Sequence, residues 1–146
     1  MSGIHTGRHA LVTGGGSGIG EAIALALADE GCAVTITGRR IEALEATAGK
    51  ATRLHPLVMD VSDEASVNDG VGAATDARGP VDICVANAGI AETAPFADTP
   101  LEQWRRVMAT NLDGVFLTCR ACVPGMLKSG WGRIITISSI AGLRGL

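Results

Sequence analysis

The 146 residues of this chain predict an α/β protein built on a doubly wound parallel sheet. Short runs that are apolar throughout alternate with amphipathic, helix-like segments from one end of the chain to the other. Strands of this kind are typical of a parallel sheet that is covered by helices on both faces. A glycine-rich turn over residues 14–20 joins the first strand to the first helix, which favours the same class.

The composition indicates one globular domain, which we take to span residues 1–146. The chain is 47% hydrophobic and 18% charged, with a formal net charge of −3, as in ordinary globular proteins. The longest basic clusters are pairs such as Arg39-Arg40, so we expect no nucleic-acid partner. We find no secretion signal and no apolar run long enough to cross a membrane, and we therefore expect a cytoplasmic protein without a membrane partner.

The first half of the chain predicts three strands and three helices. The strands are expected over residues 8–13, 33–37 and 56–60. A helix over residues 18–30 would end at Gly31. Its inward face would consist of Ile19, Ala22, Ile23, Ala26 and Leu27.

Two further helices follow in this half. One, over residues 40–48, would turn Ile41 and Leu44 toward the core. The next would be capped by Ser62, with Asp63 and Glu64 favourably placed in its first turn.

The second half predicts two strands around one long helix. The strands are expected over residues 81–86 and 132–138. The helix would begin at a capping box, Thr99-Pro100-Leu101-Glu102, with proline at its first position, and run to Lys128. The apolar residues at helical spacing along it are Trp104, Val107, Met108, Leu112, Val115, Phe116 and Cys119. The loop over residues 89–99 leaves a strand end, where ligands usually bind in such sheets.

The glycine-rich turn has the arrangement that binds a pyrophosphate. Gly14 would permit the tight turn, and Gly20 would allow the helix to pack closely on the strand. Gly18 and Ile19 would present backbone N–H groups at the helix N-terminus, where the helix dipole also favours an anion. The alternative is a turn with a purely structural role, but the strand–turn–helix context favours the binding role.

The spacing of this turn, TGxxxGxG over residues 13–20, resembles that of the short-chain dehydrogenase/reductase family. Four further motifs follow in the family's order: Asp60-Val61, Asn87-Ala88-Gly89, Asn111 and Ile137-Ser138-Ser139. The resemblance implies a Rossmann-type sheet in the order 3-2-1-4-5. It also implies a nicotinamide-dependent oxidoreductase that transfers hydride to or from a small-molecule carbonyl or secondary alcohol.

The same resemblance implies a role for each motif residue. Asp60 would accept a hydrogen bond from the adenine amino group, although it could instead cap a helix. Asn87 and Gly89 would bring backbone close to the ribose beside the nicotinamide, although they could form a simple turn. The implied cofactor-binding residues are Thr13, Gly14, Ser17, Gly18, Ile19, Gly20, Arg39, Asp60, Val61, Asn87, Ala88 and Gly89.

Two residues are the catalytic candidates. Ser139, by resemblance, would hydrogen-bond the substrate oxygen. Asn111 is unfavourable inside a helix, which suggests a local distortion. In the family such a distortion frees a backbone carbonyl to hold a water in a proton relay; the alternative is a surface asparagine.

The end of the second strand bears on the choice of cofactor. Enzymes that bind NAD usually place an acid there, about 20 residues past the glycines. Here Gly38 takes that position and Arg39 follows it. An arginine can pair with a 2′-phosphate, so we expect NADP(H) to be preferred, with NAD(H) possible. The alternative is that Arg39 and Arg40 are solvated residues at a helix start.

By the same resemblance, the family's catalytic tyrosine would follow about a dozen residues after Ser139 and its lysine one helical turn later, both beyond Leu146. The chain has no tyrosine, and its two lysines, Lys50 and Lys128, fall in other segments. We therefore expect a fold truncated before its last helices and strands, with the fifth strand as an exposed edge and a tendency to form homo-oligomers. A catalytically inert nucleotide-binding or assembly module is the alternative function.

The four cysteines predict core packing rather than a metal or redox site. Cys84 lies in an apolar strand. Cys119 and Cys122 form a CxxC, but inside a helical pattern rather than at a helix start after a strand. A zinc site would need two more ligands, so we predict no metal.

Overall fold

A computed structural model describes residues 3–143 of the chain. Within that part, five parallel strands form one sheet in the order β3-β2-β1-β4-β5, which confirms the predicted fold class. The strands are β1 (His9–Thr13), β2 (Ala33–Gly38), β3 (Leu54–Val58), β4 (Ile83–Ala86) and β5 (Arg133–Thr136). The helices are α1 (Gly18–Asp29), α2 (Ile41–Ala48), α3 (Glu64–Arg78), α4 (Leu101–Met108) and α5 (Gly114–Ser129).

Helices cover both faces of the sheet, as expected for a doubly wound fold. All five residues of the central strand β1 are buried, and successive side chains point to opposite faces. Ala10 and Val12 belong to a core that includes residues of α1 and α2. Leu11 belongs to a second core, with Val67 of α3 and Met126 of α5.

The inward face of α1 differs from the prediction. Ile19 is 64% exposed, and Ala22 and Ala26 are exposed as well. The buried residues are Gly20, Ala24 and Ala28, while Ile23 and Leu27 pack partly against the core. The start of the helix lies very close to the glycine turn, since a Cβ at Gly20 would lie 2.2 Å from the Gly14 carbonyl oxygen.

Of the two residues of α2 that were predicted to face the core, one does so. Leu44 is buried, but Ile41, at the first position of the helix, is 36% exposed. The helix makes its contact with the sheet one turn later, so its first residue stays at the rim.

Three strand boundaries also differ, because pairing with the neighbouring strand decides where each strand begins. β3 starts at Leu54, opposite Val34, and ends at Val58, opposite Gly38, so Asp60 lies beyond the strand. β4 starts at Ile83, where pairing with β1 begins, and not at residue 81. β5 pairs with the four residues of β4 and is correspondingly shorter than predicted.

Two predicted helix caps are wrong. The cap of α3 is Asp63, whose carboxylate accepts the Ala65 N–H at 3.1 Å. Ser62 instead donates its hydroxyl to Asp60 at 2.7 Å. No capping box begins α4 in the described structure: Pro100 is extended and lies outside the helix, and the Thr99 hydroxyl donates back to the Pro95 carbonyl at 3.1 Å.

The long helix is distorted at Asn111, as predicted. A π-turn over Ala109–Asp113 separates α4 from α5. Of the seven apolar residues predicted from spacing, Trp104, Leu112 and Phe116 are more than half exposed. The other four, Val107, Met108, Val115 and Cys119, are half-buried. The buried side of α5 is formed by Gly114, Thr118, Cys122 and Met126.

The cysteines pack in the core as predicted. Cys84 and Cys122 are buried in one cluster, against which Cys119 also packs. A hydrogen bond with Cys84, and then burial, raises the pKa of the Cys119 thiol. Within residues 3–143, no group of three or more His, Cys, Asp or Glu side chains is arranged to hold a metal ion.

The exposed surface includes strand β5, which is an edge of the sheet in the described part of the chain. All four of its residues are exposed, which agrees with the edge predicted from the sequence. Of the helices in that part, none is both long and apolar enough to span a bilayer.

Candidate cofactor site

The glycine-rich turn connects the end of β1 to the start of α1 at the carboxyl edge of the sheet. Gly14 and Gly18 have positive φ angles of 68° and 56°, a region that glycine enters without steric cost. A Cβ at Gly14 would also lie 2.9 Å from the Asn87 side chain, whereas the space around Gly18 is open. The turn is therefore packed on its inner side and accessible on its outer side.

The accessible side of the turn is the N-terminus of α1. Ser17 occupies the N-cap position with extended backbone, and it is exposed together with Gly18 and Ile19. The first N–H groups of an α-helix have no acceptor within the helix, and they carry the positive end of its dipole. The turn can therefore bind an anionic group through backbone N–H donors.

Asn87 links the ends of β1 and β4 through hydrogen bonds to Thr13. Its side-chain amide donates to the Thr13 carbonyl at 3.0 Å. In return the Thr13 hydroxyl accepts the N–H groups of Asn87 and Ala88 at 3.0 and 2.9 Å. The side chains of Thr13 and Asn87 and the N–H of Ala88 are thus used within the protein, while Ala88 and Gly89 line the cavity described next.

Two adjoining cavities lie over the carboxyl ends of the strands. One, of about 160 Å³, is lined by the glycine turn at Gly14, Gly16 and Ser17 and by Arg39 and Arg40. The other, of about 150 Å³, is lined by Gly14, Gly38, Arg39, Met59, Asp60, Val61, Ala88, Gly89, Ile90 and Thr110. Because Gly14, Gly38 and Arg39 line both, the cavities form one groove across the strand ends.

Asp60 lies in this groove as a carboxylate. Burial opposes its ionisation, but hydrogen bonds from Ser62 and the positive charge of Arg39 outweigh that effect and hold the pKa of Asp60 below its ordinary value. The carboxylate accepts both the N–H and the hydroxyl of Ser62. The side chain of the neighbouring Val61 is buried against Gly114, so Val61 can contact a ligand mainly through its backbone.

Asn111 holds the loop that follows β4. Its side-chain oxygen accepts the Ile90 N–H, and its side-chain nitrogen donates to the Ile90 carbonyl, both at 2.8 Å. The predicted role concerned the backbone carbonyl of Asn111, whereas this contact uses its side chain. Ile90 and Thr110 also line the groove, although the sequence analysis did not predict them as site residues. In the sequence, each is recognisable only as the neighbour of a motif residue.

Ser139 lies beyond the end of β5, at the same edge of the sheet. It begins a 3₁₀ turn over Ile140–Gly142, and its side-chain oxygen accepts the Ala141 N–H at 3.2 Å. The residue is exposed and does not line either of the two cavities described above. Among the hydrogen bonds of residues 3–143 the Ser139 hydroxyl proton has no acceptor, so it can donate to another group.

The groove carries chemical groups that suit parts of a dinucleotide. The helix N-terminus suits a pyrophosphate, and the open space at Gly18 leaves room for it. Asp60 suits an amino group that donates hydrogen bonds, and Arg39 suits an anion. These features lie at the carboxyl ends of adjacent strands, the usual ligand position in open α/β sheets.

Comparison with known proteins agrees with this geometry. The sequence model of the family described as short chain dehydrogenase matches residues 8–146. The chain is 39% identical to the 2-dehydro-3-deoxy-L-rhamnonate dehydrogenase (NAD(+)) of Sphingomonas sp. (strain SKA58), with 99% of this chain and 59% of the relative covered. It is 41% identical to the NADP-dependent (R)-specific alcohol dehydrogenase of Lentilactobacillus kefiri, with 95% and 57% covered.

A solved structure gives the same result. The crystal structure of a short-chain type dehydrogenase/reductase from Mycobacterium marinum superposes with a TM-score of 0.94 at 35% identity, and covers 97% of this chain and 60% of that one. The chain thus spans about three fifths of the length of these proteins. The fold agrees with that of a solved family member, and the family model matches residues 8–146. The chain therefore belongs to the short-chain dehydrogenase family.

Proposed function

We propose that this chain binds NADP(H) in preference to NAD(H), and that the intact protein transfers a hydride between the nicotinamide and a carbonyl or secondary alcohol. The observation that carries the preference is the position of Arg39. It lines both cavities of the groove, directly after Gly38 at the end of β2. A 2′-phosphate placed there would meet a guanidinium rather than a carboxylate.

The other residues of the groove support the same assignment. Backbone N–H groups at Gly18 and Ile19 would hold the pyrophosphate, and Asp60 would accept the adenine amino group. Gly89 and Ile90, fixed by Asn111, form a wall of the groove beside Asp60. The names of the relatives include both an NAD(+) enzyme and an NADP-dependent one, so Arg39 rather than family membership supports the preference.

Ser139 is suited to bind the substrate oxygen. Since its side-chain oxygen accepts the Ala141 N–H, its own proton can be donated to a carbonyl or hydroxyl oxygen. The backbone at Asn111 lies in the π-turn, where hydrogen bonding is shifted from the α-helical pattern and a carbonyl can hold a water of the proton relay. When bound, the nicotinamide supplies or accepts the hydride.

Assembly into homo-oligomers is part of the proposal. Leu101, Trp104, Leu112 and Phe116 are each more than half exposed along α4, the π-turn and α5. Large apolar side chains exposed along one element are typical of a protein–protein contact.

Titration calorimetry with NADPH and NADH tests the cofactor preference. We expect NADPH to bind at least about tenfold more tightly, since a charge-assisted hydrogen bond is worth about 1.5–3 kcal/mol. Arg39→Gln should remove this difference while leaving the affinity for NADH nearly unchanged. Arg105→Gln is the matched control, because Arg105 is an exposed arginine of α4 that lines neither cavity. Equal affinities in the wild type, or equal effects of the two variants, would contradict the preference.

A further inference from the structure

The backbone of Asp60 is held by two hydrogen bonds. Its N–H donates to the Ser66 hydroxyl oxygen at 2.9 Å, and its carbonyl accepts the Asp63 N–H at 3.2 Å. Ser66 belongs to α3, whereas Asp60 lies beyond the end of β3. The bond to Ser66 therefore fixes the residue that follows the strand relative to the next helix.

Core packing fixes the frame in which this bond forms. Met59 and Val67, the chain neighbours of the two bonded residues, are buried in one core cluster. The helix lies close to this segment, since a Cβ at Gly70 of α3 would lie 2.7 Å from the Met59 sulfur. The core thus sets the distance between α3 and Asp60, and the Ser66 hydroxyl is placed to hold the Asp60 amide.

The carboxylate of Asp60 is occupied on one oxygen. Oδ1 accepts the N–H of Ser62 at 2.9 Å and its hydroxyl at 2.7 Å. Among the hydrogen bonds and ion pairs of residues 3–143, Oδ2 has no partner, and Arg39 forms no ion pair with it. Because each carboxylate oxygen accepts about two hydrogen bonds, Oδ1 is saturated and Oδ2 can accept donors from a ligand.

We propose that Ser66 and Ser62 are positioning residues for nucleotide binding: Ser66 fixes the backbone of Asp60, and Ser62 turns its carboxylate so that Oδ2 accepts the amino group of adenine. Asp60 lines the nucleotide groove beside Gly38 and Ala88, whereas the two serines line neither of its cavities. The serines therefore act through Asp60 and not on the ligand. This inference rests on the proposed function, because it assigns Oδ2 to the base of the same dinucleotide.

This arrangement predicts discrimination between purine bases. Adenine carries an amino group at position 6, which donates a hydrogen bond to the carboxylate. Hypoxanthine carries a carbonyl at that position, which would meet Oδ2 as a second acceptor. Since a hydrogen bond to an ionised group is among the stronger ones, we expect NADPH to bind at least about tenfold more tightly than its hypoxanthine analogue.

The test is titration calorimetry with NADPH and with its hypoxanthine analogue, and the measured quantity is the ratio of the two affinities. The variants are Ser66→Ala and Ser62→Ala, each paired with the conservative threonine substitution at the same position. Ser129→Ala is the matched control, because the Ser129 hydroxyl also forms hydrogen bonds with backbone while the residue lines neither cavity.

The affinity ratio should fall by about threefold or more in each alanine variant, since the carboxylate is then less well oriented. It should be restored in the threonine variants, which keep the hydroxyl, and be unchanged in Ser129→Ala. A general loss of stability would lower both affinities together and leave their ratio unchanged. A ratio near one in the wild type, or equal ratios in the wild type and both alanine variants, would overturn the proposal.

Hydrogen exchange at the Asp60 amide gives a second readout that needs no cofactor. We expect exchange to be faster by about threefold or more in Ser66→Ala and close to the wild-type rate in Ser66→Thr. Equal exchange in Ser66→Ala and the wild type would overturn the role of Ser66.

Failure of the proposed function would be visible separately. If NADPH and NADH bind equally, the role of Arg39 is contradicted, and the base ratio still decides the role of the serines. If neither binds, the proposed function is overturned and the positioning role falls with it.

Discussion

The side chain of Asn111 forms two hydrogen bonds with the backbone of Ile90, one to its N–H and one to its carbonyl, each 2.8 Å long. An amide side chain can satisfy both backbone groups of one residue in this way, because it carries a donor and an acceptor side by side. The contact links the π-turn to the loop after β4 and keeps Gly89 at the nucleotide groove, where a Cβ would lie 3.4 Å from the Asn111 oxygen.

Replacing Asn111 with alanine should therefore loosen the loop and weaken nucleotide binding. We expect about 1–2 kcal/mol of lost stability from two hydrogen bonds at an exposed site, and faster hydrogen exchange at Ile90. Urea unfolding and exchange mass spectrometry measure the two effects. Asn68→Ala is the control, because Asn68 is an exposed asparagine of α3. Unchanged exchange at Ile90 in Asn111→Ala would show that the contact does not hold the loop.

Gly20 and Gly72 provide a matched pair of helix glycines. A Cβ at Gly20 would lie 2.2 Å from the Gly14 carbonyl oxygen, whereas a Cβ at Gly72 would meet no atom within 4 Å. Gly20→Ala should destabilise the protein by about 1–3 kcal/mol or more, since backbone must move. Gly72→Ala should stabilise it by about 0.5–1 kcal/mol through helix propensity. Denaturant midpoints compare them, and a neutral Gly20→Ala would disprove the close packing of α1 on the turn.

His9 makes the stability of the fold depend on pH. The residue is buried, its Nδ1 lies 2.8 Å from the Gly79 carbonyl and its Nε2 lies 2.9 Å from the Thr35 hydroxyl. Because a carbonyl only accepts, Nδ1 carries the proton and Nε2 accepts from Thr35. The neutral ring is thus fully hydrogen-bonded, and burial lowers the pKa of His9 from its ordinary value of 6.5.

A lowered histidine pKa means that the unfolded chain binds more protons than the folded one, so stability rises with pH in this range. The stability contributed by neutral His9 is fully present above the ordinary histidine pKa and is lost as the pH falls below that value. Arg78 lowers the pKa of His9 further and Asp82 opposes it, while burial lowers the pKa of His55 in the same direction.

Unfolding free energies at about pH 7.5 and 5.5 test this linkage. The decrease in unfolding free energy from the higher to the lower pH should be smaller in His9→Gln than in the wild type. His55→Gln serves for comparison and should reduce the loss as well. An equal loss in wild type and His9→Gln would exclude His9 as the source.

The cysteines should react slowly with thiol reagents in the native protein. Cys32 is buried, and burial raises the pKa of its thiol; the pKa of Cys119 is raised as well, first by its hydrogen bond with Cys84. Since the thiolate is the nucleophile, both effects reduce reactivity. Ellman's reagent should label all four cysteines in denaturant but label them much more slowly without it. One equivalent of rapid labelling in the native state would contradict this.

The sequence alone was sufficient for the family, the fold class and the glycine turn. These depend on local chemistry: glycine is needed where φ is positive, as at Gly14 and Gly18, and apolar runs follow from burial on both sheet faces. The distortion at Asn111 was also predicted, from the poor helix propensity of asparagine together with the family resemblance.

The tertiary structure decided what depends on how closely distant segments approach. The small residues Gly20, Ala24 and Ala28 face inward on α1 because the helix lies against the sheet, which its apolar pattern did not show. Likewise β3 begins at Leu54 because β2 offers its pairing partner there. The pairing of Glu92 with Arg106 brings together a loop and a helix, and no local pattern in the chain marks those two residues as partners.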